Sequence, residues 1–151
     1  WEIPETEVTA AVEYAFDEWD IWRMYADPPY WESTLDEWAG RWGDERVIRW
    51  WTNRPKMVGY ALKAWTGDWR EGTLSHDGHP VLEQHIANAV KQPTRIRDDD
   101  GSWLWVIKKD GPKSPRKIDL AMCALLSWEA RGDAVAAGVL NKKTYGRASW
   151  R

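Results

Sequence analysis

The chain has 151 residues, of which 43% are hydrophobic and 30% charged, so it is long enough to bury one hydrophobic core. Its net charge of -3 excludes a strongly basic nucleic-acid-binding surface overall, so any contact with DNA would need a local basic patch. The single cysteine, Cys123, excludes an internal disulfide and is typical of a reducing compartment. No apolar run reaches the length of a membrane span, so no contact with a membrane is expected.

The first half of the chain predicts three helices and two strands. Apolar residues recur at helical spacing from Thr9 to Trp19, where Thr9 is a suitable N-cap. Ile21–Ala26 predicts a short strand, which ends at Asp27 because two prolines follow and proline cannot donate to a sheet ladder. The other predicted elements are a helix at Trp31–Trp42, a strand at Arg46–Thr52 and a helix at Pro55–Trp69.

The second half predicts two helices and a hairpin. The segment Asp98–Gly101 separates the strands Arg95–Arg97 and Trp103–Ile107, and an Asp-Gly pair at such a position is typical of a tight turn. Strands that alternate with helices, followed by a hairpin, predict an α/β domain with a mixed sheet. The other predicted elements are a helix at Pro80–Lys91, a basic loop at Gly111–Lys117 and a helix at Asp119–Arg131.

Tryptophan is unusually frequent, with 14 residues against a single Phe. Large aromatic side chains bury extensive apolar area, so we expect the tryptophans to fill the core rather than to stack on nucleic-acid bases. The chain begins with Trp1 instead of Met, and structured sequence follows directly. We therefore expect the chain to be a fragment of a longer protein.

Two acidic residues occupy positions that suit metal ligands. Asp27 follows a predicted strand, and loops at strand ends line the crevice of α/β folds. Asp119 begins the last predicted helix. Converging carboxylates can bind two divalent cations that promote phosphodiester hydrolysis, and hard oxygen ligands suit Mg²⁺ or Mn²⁺. The pattern alone leaves structural roles open, because Asp27 can open a turn and Asp119 can cap a helix.

Other polar clusters allow a functional and a structural interpretation. Three histidines, His76, His79 and His85, have poor spacing for zinc and no supporting cysteine, which favours polar packing or a role near the rim of an active site. Asp98–Asp100 indicates an exposed acidic turn rather than a metal site. A basic set before Asp119 could bind DNA phosphates or form a solvated loop. Its members are Lys108, Lys109, Lys113, Arg116 and Lys117.

Three segments carry a resemblance to a known family: YADPPYW at Tyr25–Trp31, LSHDGHPVLEQHIANA at Leu74–Ala89 and KIDLAMCA at Lys117–Ala124. In order and spacing they resemble the C-terminal nuclease domain of tailed-bacteriophage terminase large subunits. The resemblance covers residues 1–138 and leaves 139–151 as a basic tail. It implies an RNase H-like mixed sheet flanked by helices and incomplete at the N-terminus. It also implies three catalytic, metal-binding acids, with Asp27 second, Asp119 third and the first preceding Trp1.

The resemblance implies an endonuclease module that cuts concatemeric viral DNA by two-metal hydrolysis with Mg²⁺ or Mn²⁺. The implied partners are double-stranded DNA, an ATPase lobe of the same protein, the small terminase subunit and the portal. The implied location is the cytoplasm of the infected bacterial host. This chain has no GxxxxGK[ST] pattern, so the ATPase lobe would lie elsewhere. The fragment alone would be inactive because it lacks the first acid.

The alternative is a non-catalytic RNase H-like domain that binds DNA or a protein partner. For the isolated chain, the net charge of -3 and the missing first acid favour this alternative.

Overall fold

The computed structural model describes residues 4–139, and the chain divides after Trp50 into two units that each combine helix and strand. The predicted α/β class is confirmed, but the described strands form two separate two-stranded sheets where one mixed sheet was predicted. Between residues 4 and 139, no helix is both long and apolar enough to cross a membrane.

The first unit contains α1 (Glu5–Glu18), β1 (Met24–Ala26), α2 (Glu32–Trp42) and β2 (Val47–Arg49). The second unit contains α3 (Pro55–Glu71), α4 (Pro80–Ala87), β3 (Val90–Arg97), β4 (Trp103–Lys108) and α5 (Asp119–Ala136).

In the first unit, β1 and β2 pair in parallel, although each spans only three residues. Parallel neighbours need a crossover connection, which α2 supplies. Phe16 of α1 stacks on Trp42 of α2 with ring centroids 4.3 Å apart. The buried core of this unit therefore forms between the helices and the short sheet, and it consists of Leu35, Trp38, Ala39 and Val47.

Three predicted helix ends differ from the structure. Helix α1 begins at Glu5, so Thr9 lies inside the helix and the prediction that it is the N-cap is wrong. Helix α4 ends at Ala87, and Lys91 lies in β3 because it pairs with Ile107 of β4. Helix α5 continues through Gly132, since one glycine in a helix costs only about 1 kcal/mol relative to alanine.

In the second unit, β3 and β4 form the predicted hairpin, and Asp98 anchors its turn. One Asp98 oxygen accepts the amides of Asp100 and Ser102 at 3.1 and 2.8 Å, and the other accepts from Lys63 Nζ of α3 at 2.6 Å. The bond from Lys63 holds the pKa of Asp98 below its usual value. The Asp98 side chain is only 2% exposed, so the prediction of an exposed turn is wrong for this residue.

Helix α3 packs closely on β4 through Gly59. A Cβ at position 59 would lie 2.9 Å from the Cβ of Leu104, which is itself 1% exposed. Gly67, two turns further along the same helix, has space for a Cβ, which would meet no described atom within 4 Å. The two glycines therefore separate the effect of close packing from the effect of glycine on helix stability.

We expect Gly59→Ala to lower the free energy of unfolding by about 1–3 kcal/mol, because the added methyl group overpacks against Leu104. Gly67→Ala is the control and should raise it by about 0.5–1 kcal/mol, because alanine favours the helix. Urea unfolding followed by circular dichroism measures both changes. A Gly59→Ala protein as stable as the wild type would contradict the close approach of α3 and β4.

Candidate functional site

Asp27 lies in the first unit, directly after β1, at the strand end that the sequence predicted. The carboxyl ends of β1 and β2 lie at the same edge of their sheet, because the strands are parallel. The Trp50 amide donates to the Ala26 carbonyl at 2.8 Å and extends the pairing to this edge. The Asp27 side chain is half-buried there.

A tight turn follows Asp27. The Trp31 amide donates to the Pro28 carbonyl at 2.8 Å, and Tyr30 adopts a φ of 72°. Proline at the second position and a positive φ at the third are typical of a type II turn. A non-glycine residue in the left-handed region costs about 1–2 kcal/mol. The turn keeps Tyr30 97% exposed, three residues after the candidate ligand Asp27.

Asp119 lies in the second unit and is the first residue of α5. Ile118 occupies the N-cap position, so the alternative role of Asp119 as the helix cap is wrong. The exposed carboxylate lies in the first helical turn, where the helix dipole stabilises negative charge. Burial raises the pKa of Cys123, and the charge of Asp119, one turn earlier, raises that pKa further.

Helix α4 and the residue after it form two hydrogen bonds with the start of α5. The apolar side chain of Ile118 cannot accept a hydrogen bond, but Nδ1 of His85 accepts the Leu120 amide at 3.0 Å. The side-chain amide of Asn88 donates to the Lys117 carbonyl at 2.9 Å. Two of the segments that carry the family resemblance therefore meet around Asp119. Sequence reasoning assigned no role to His85 or Asn88 in this arrangement, although both belong to the quoted segment Leu74–Ala89.

The other two histidines, His76 and His79, also accept hydrogen bonds from backbone amides. Nδ1 of His76 accepts the Gly78 amide at 3.0 Å, and Nδ1 of His79 accepts the Val81 amide at 3.3 Å, which caps α4. Each of the three histidines thus accepts a hydrogen bond from a backbone amide, and His76 and His79 are exposed.

An open groove of about 1050 Å³ lies beside the start of α5 in the second unit. Its walls include the first turn of α3 and the paired ends of β3 and β4. The N-cap of α5, Ile118, and a residue near the start of that helix, Met122, complete the walls. Lys108 and Lys109, predicted to contact DNA, line this groove together with Lys91. Sequence reasoning missed Lys91 because it placed that residue in α4, and no local signal marks the strand pairing that moves it to the groove.

The remaining members of the predicted basic set follow in the loop. Lys113 lines a neighbouring depression formed by Asp110–Pro115. Arg116 forms an ion pair with Asp110, with Nη1 3.5 Å from Oδ2. Lys117 is exposed, next to Ile118. The structure therefore brings Lys108 and Lys109 together in the groove and distributes Lys113, Arg116 and Lys117 along the chain that leads to Asp119.

No group of three or more His, Cys, Asp or Glu side chains within residues 4–139 is arranged to hold a metal ion. Asp27 and Asp119 belong to different units, and each supplies one carboxylate. Carboxylate oxygens are the donors that Mg²⁺ and Mn²⁺ prefer, so the donor chemistry fits these cations. The described residues of either unit do not by themselves complete a three-ligand site.

Comparison with known proteins finds similarity to two bacteriophage proteins. The chain is 31% identical over 141 residues to the Gene 13 protein of Mycobacterium phage L5. It is 32% identical over 141 residues to the Gene 13 protein of Mycobacterium phage D29. Each similarity covers 87% of this chain and 23% of the relative, so the chain spans less than a quarter of the length of the curated relatives it matches. No protein-family model matches the chain, and no solved structure matches it.

We expect His85→Ala to increase hydrogen exchange at the Leu120 amide, because amides in the first helical turn have no acceptor within the helix. Loss of this bond should lower the free energy of unfolding by about 0.5–1.5 kcal/mol. Gln84→Ala changes an exposed neighbour in α4 and is the control. Exchange measured by NMR tests the pair, and unchanged protection of Leu120 in His85→Ala would show that His85 does not cap α5.

Proposed function

We propose that the chain is part of the RNase H-like nuclease domain of a phage terminase large subunit and that it contributes to cleavage of concatemeric viral DNA during packaging. The observation that carries the proposal is the meeting of two family-like segments at the start of α5, where His85 and Asn88 orient the backbone on both sides of Asp119. The similarity to phage proteins several times longer than this chain supports a role as one part of a larger viral protein.

In this proposal, Asp27 and Asp119 are the second and third acidic ligands, and the first precedes Trp1. Bound Mg²⁺ or Mn²⁺ would activate water and stabilise the leaving oxygen of the phosphodiester. The chain itself supplies the two carboxylates and the positioning of one of them. The strand end of β1 places Asp27, and the cap from α4 places Asp119.

Double-stranded DNA is the proposed substrate, and the basic groove is its proposed contact surface. Lys91, Lys108 and Lys109 outnumber the one acidic residue of the groove lining, Asp110, although the whole chain has a net charge of -3. Neutralising phosphates there would release counterions and favour binding. The ATPase lobe of the same protein, the small terminase subunit and the portal are the proposed partners, in the cytoplasm of the infected host.

A second candidate function is a non-catalytic RNase H-like domain that binds DNA or a protein. Two observations favour it: the net charge of -3, and the finding that residues 4–139 contain no complete three-ligand group. The two functions differ in one respect. Only the nuclease requires a charged oxygen ligand at Asp27 and Asp119.

We expect Asp27→Asn and Asp119→Asn each to reduce DNA cleavage by about a hundredfold or more in a protein that includes the preceding sequence. Asparagine keeps nearly the same shape but removes the charge that binds the cation, so stability should change little. Cleavage of plasmid DNA with Mg²⁺ or Mn²⁺ measures the loss. Asp17→Asn, an exposed acid in α1, is the charge-matched control and should cleave like the wild type.

The double variant Asp27→Asn/Asp119→Asn should cleave DNA about as fast as the less active of the two single variants, because ligands of one catalytic centre act as a unit. Additive losses would indicate two independent roles. A folded Asp119→Asn protein that cleaves at the wild-type rate would remove Asp119 from the active site and favour the non-catalytic function.

We expect Lys108→Ala/Lys109→Ala and Lys113→Ala/Lys117→Ala each to weaken binding of duplex DNA and to make its salt dependence shallower. The slope of log K against log salt should fall by about 0.9 for each lost phosphate contact. Arg70→Ala/Arg131→Ala removes the same charge from two other exposed positions and is the control. Fluorescence anisotropy over a salt series measures the slopes, and equal slopes for test and control pairs would contradict a specific basic path.

A further inference from the structure

The hairpin formed by β3 and β4 has two different faces. Leu104 points to the inner face, where it is buried against Gly59 of α3. Trp103 and Trp105, on either side of it along β4, lie on the opposite face because side chains alternate along a strand. We call this second surface, which consists of Trp103, Trp105 and the residues of β3 paired with them or in contact with their rings, the aromatic face.

Two cations of β3 lie against the tryptophan rings of the aromatic face. The guanidinium carbon of Arg97 is 3.8 Å from the ring centroid of Trp103, and Nζ of Lys91 is 4.5 Å from that of Trp105. A bond from Arg97 to the Gly101 carbonyl also holds its guanidinium at the turn. The rings and the charges therefore form one surface, in which each tryptophan has a cation beside it.

Trp103 differs from the tryptophans that fill the core. It is 54% exposed, whereas Trp65 in the same unit is 6% exposed. The expectation that tryptophans fill the core therefore does not apply to Trp103. An exposed ring that is held by a neighbouring cation offers a flat apolar surface to a binding partner.

The charge of the hairpin strands selects an anionic partner. Together β3 and β4 contain four basic residues and no acidic residue, although the whole chain has a net charge of -3. The four are Lys91, Arg95, Arg97 and Lys108. Three acidic residues occupy the turn between the strands, and two of them, Asp98 and Asp100, bind Lys63 of α3. Flat aromatic rings interspersed with cations are suited to single-stranded nucleic acid, whose bases stack on the rings while its phosphates contact the cations. A duplex is less suited, because its bases already stack on one another.

We propose that the aromatic face binds single-stranded nucleic acid, with a base stacked on Trp103 and phosphates contacted by Arg97 and Lys91. This inference depends on the hairpin alone and does not require the chain to be a nuclease. It adds a strand-binding surface that shares Lys91 with the duplex-binding groove proposed above.

The test measures binding of a fluorescently labelled oligothymidylate to the 151-residue chain by fluorescence anisotropy. Trp103→Ala should weaken binding by about 5- to 150-fold, the range expected for loss of one stacked base. Trp103→Phe should retain most of the affinity, because a ring remains. Trp19→Ala removes a tryptophan that is 61% exposed in the first unit and should bind like the wild type. Circular dichroism melting confirms that each variant is folded.

The charges are tested in the same assay. Lys91→Gln/Arg97→Gln should reduce the salt slope by about 0.7 for each lost phosphate contact, whereas Arg70→Gln should leave it unchanged. Failure of the wild-type chain to bind the oligothymidylate, or equal affinity of the wild type and Trp103→Ala, would overturn the proposal. Displacement of the oligothymidylate by an acidic peptide at the concentration at which unlabelled oligothymidylate displaces it would also overturn it, and would assign the aromatic face to a protein partner.

Discussion

The close packing of Leu104 on Gly59 determines which surfaces the second unit presents. Only a glycine lets the backbone of α3 approach β4 this closely, because a Cβ there would lie 2.9 Å from the Cβ of Leu104. Once the inner face of β4 is buried, alternation along the strand leaves Trp103 and Trp105 on the outer face. The bond from Lys63 to Asp98 then anchors the turn of the hairpin to the same helix. One helix thus orients the aromatic face.

The start of α5 depends on a second tertiary contact. A helix has free amides in its first turn, and the side chain of an isoleucine N-cap cannot accept hydrogen bonds from them. His85 supplies the acceptor from a neighbouring helix, and Asn88 binds the carbonyl of Lys117 just before the helix begins. These two bonds place Asp119 at the helix terminus beside the groove. An acidic residue positioned by contacts from another element is better suited to bind a cation than one on an unconstrained loop.

The overall charge and tryptophan content of the chain do not describe its individual surfaces. A net charge of -3 is an average, while the hairpin strands have only basic charged residues and the groove beside them contains three lysines. The tryptophans likewise occupy both buried and exposed positions. Trp38 and Trp65 are buried, whereas Trp103 is held at the surface by the guanidinium of Arg97. Binding depends on such local arrangements rather than on totals.

The sequence by itself determined those features that depend on neighbouring residues. Two prolines follow shortly after the end of β1, the segment Asp98–Gly101 makes the hairpin turn, Gly43 marks the end of α2 and Pro55 marks the start of α3. Only the tertiary structure decided that Lys91 lies in a strand, because its pairing with Ile107 is a contact between separate segments. The bonds from Lys63 to Asp98 and from Leu120 to His85 each join residues 35 positions apart. Local propensity contains no information on such contacts, since they form only when packing brings distant segments together.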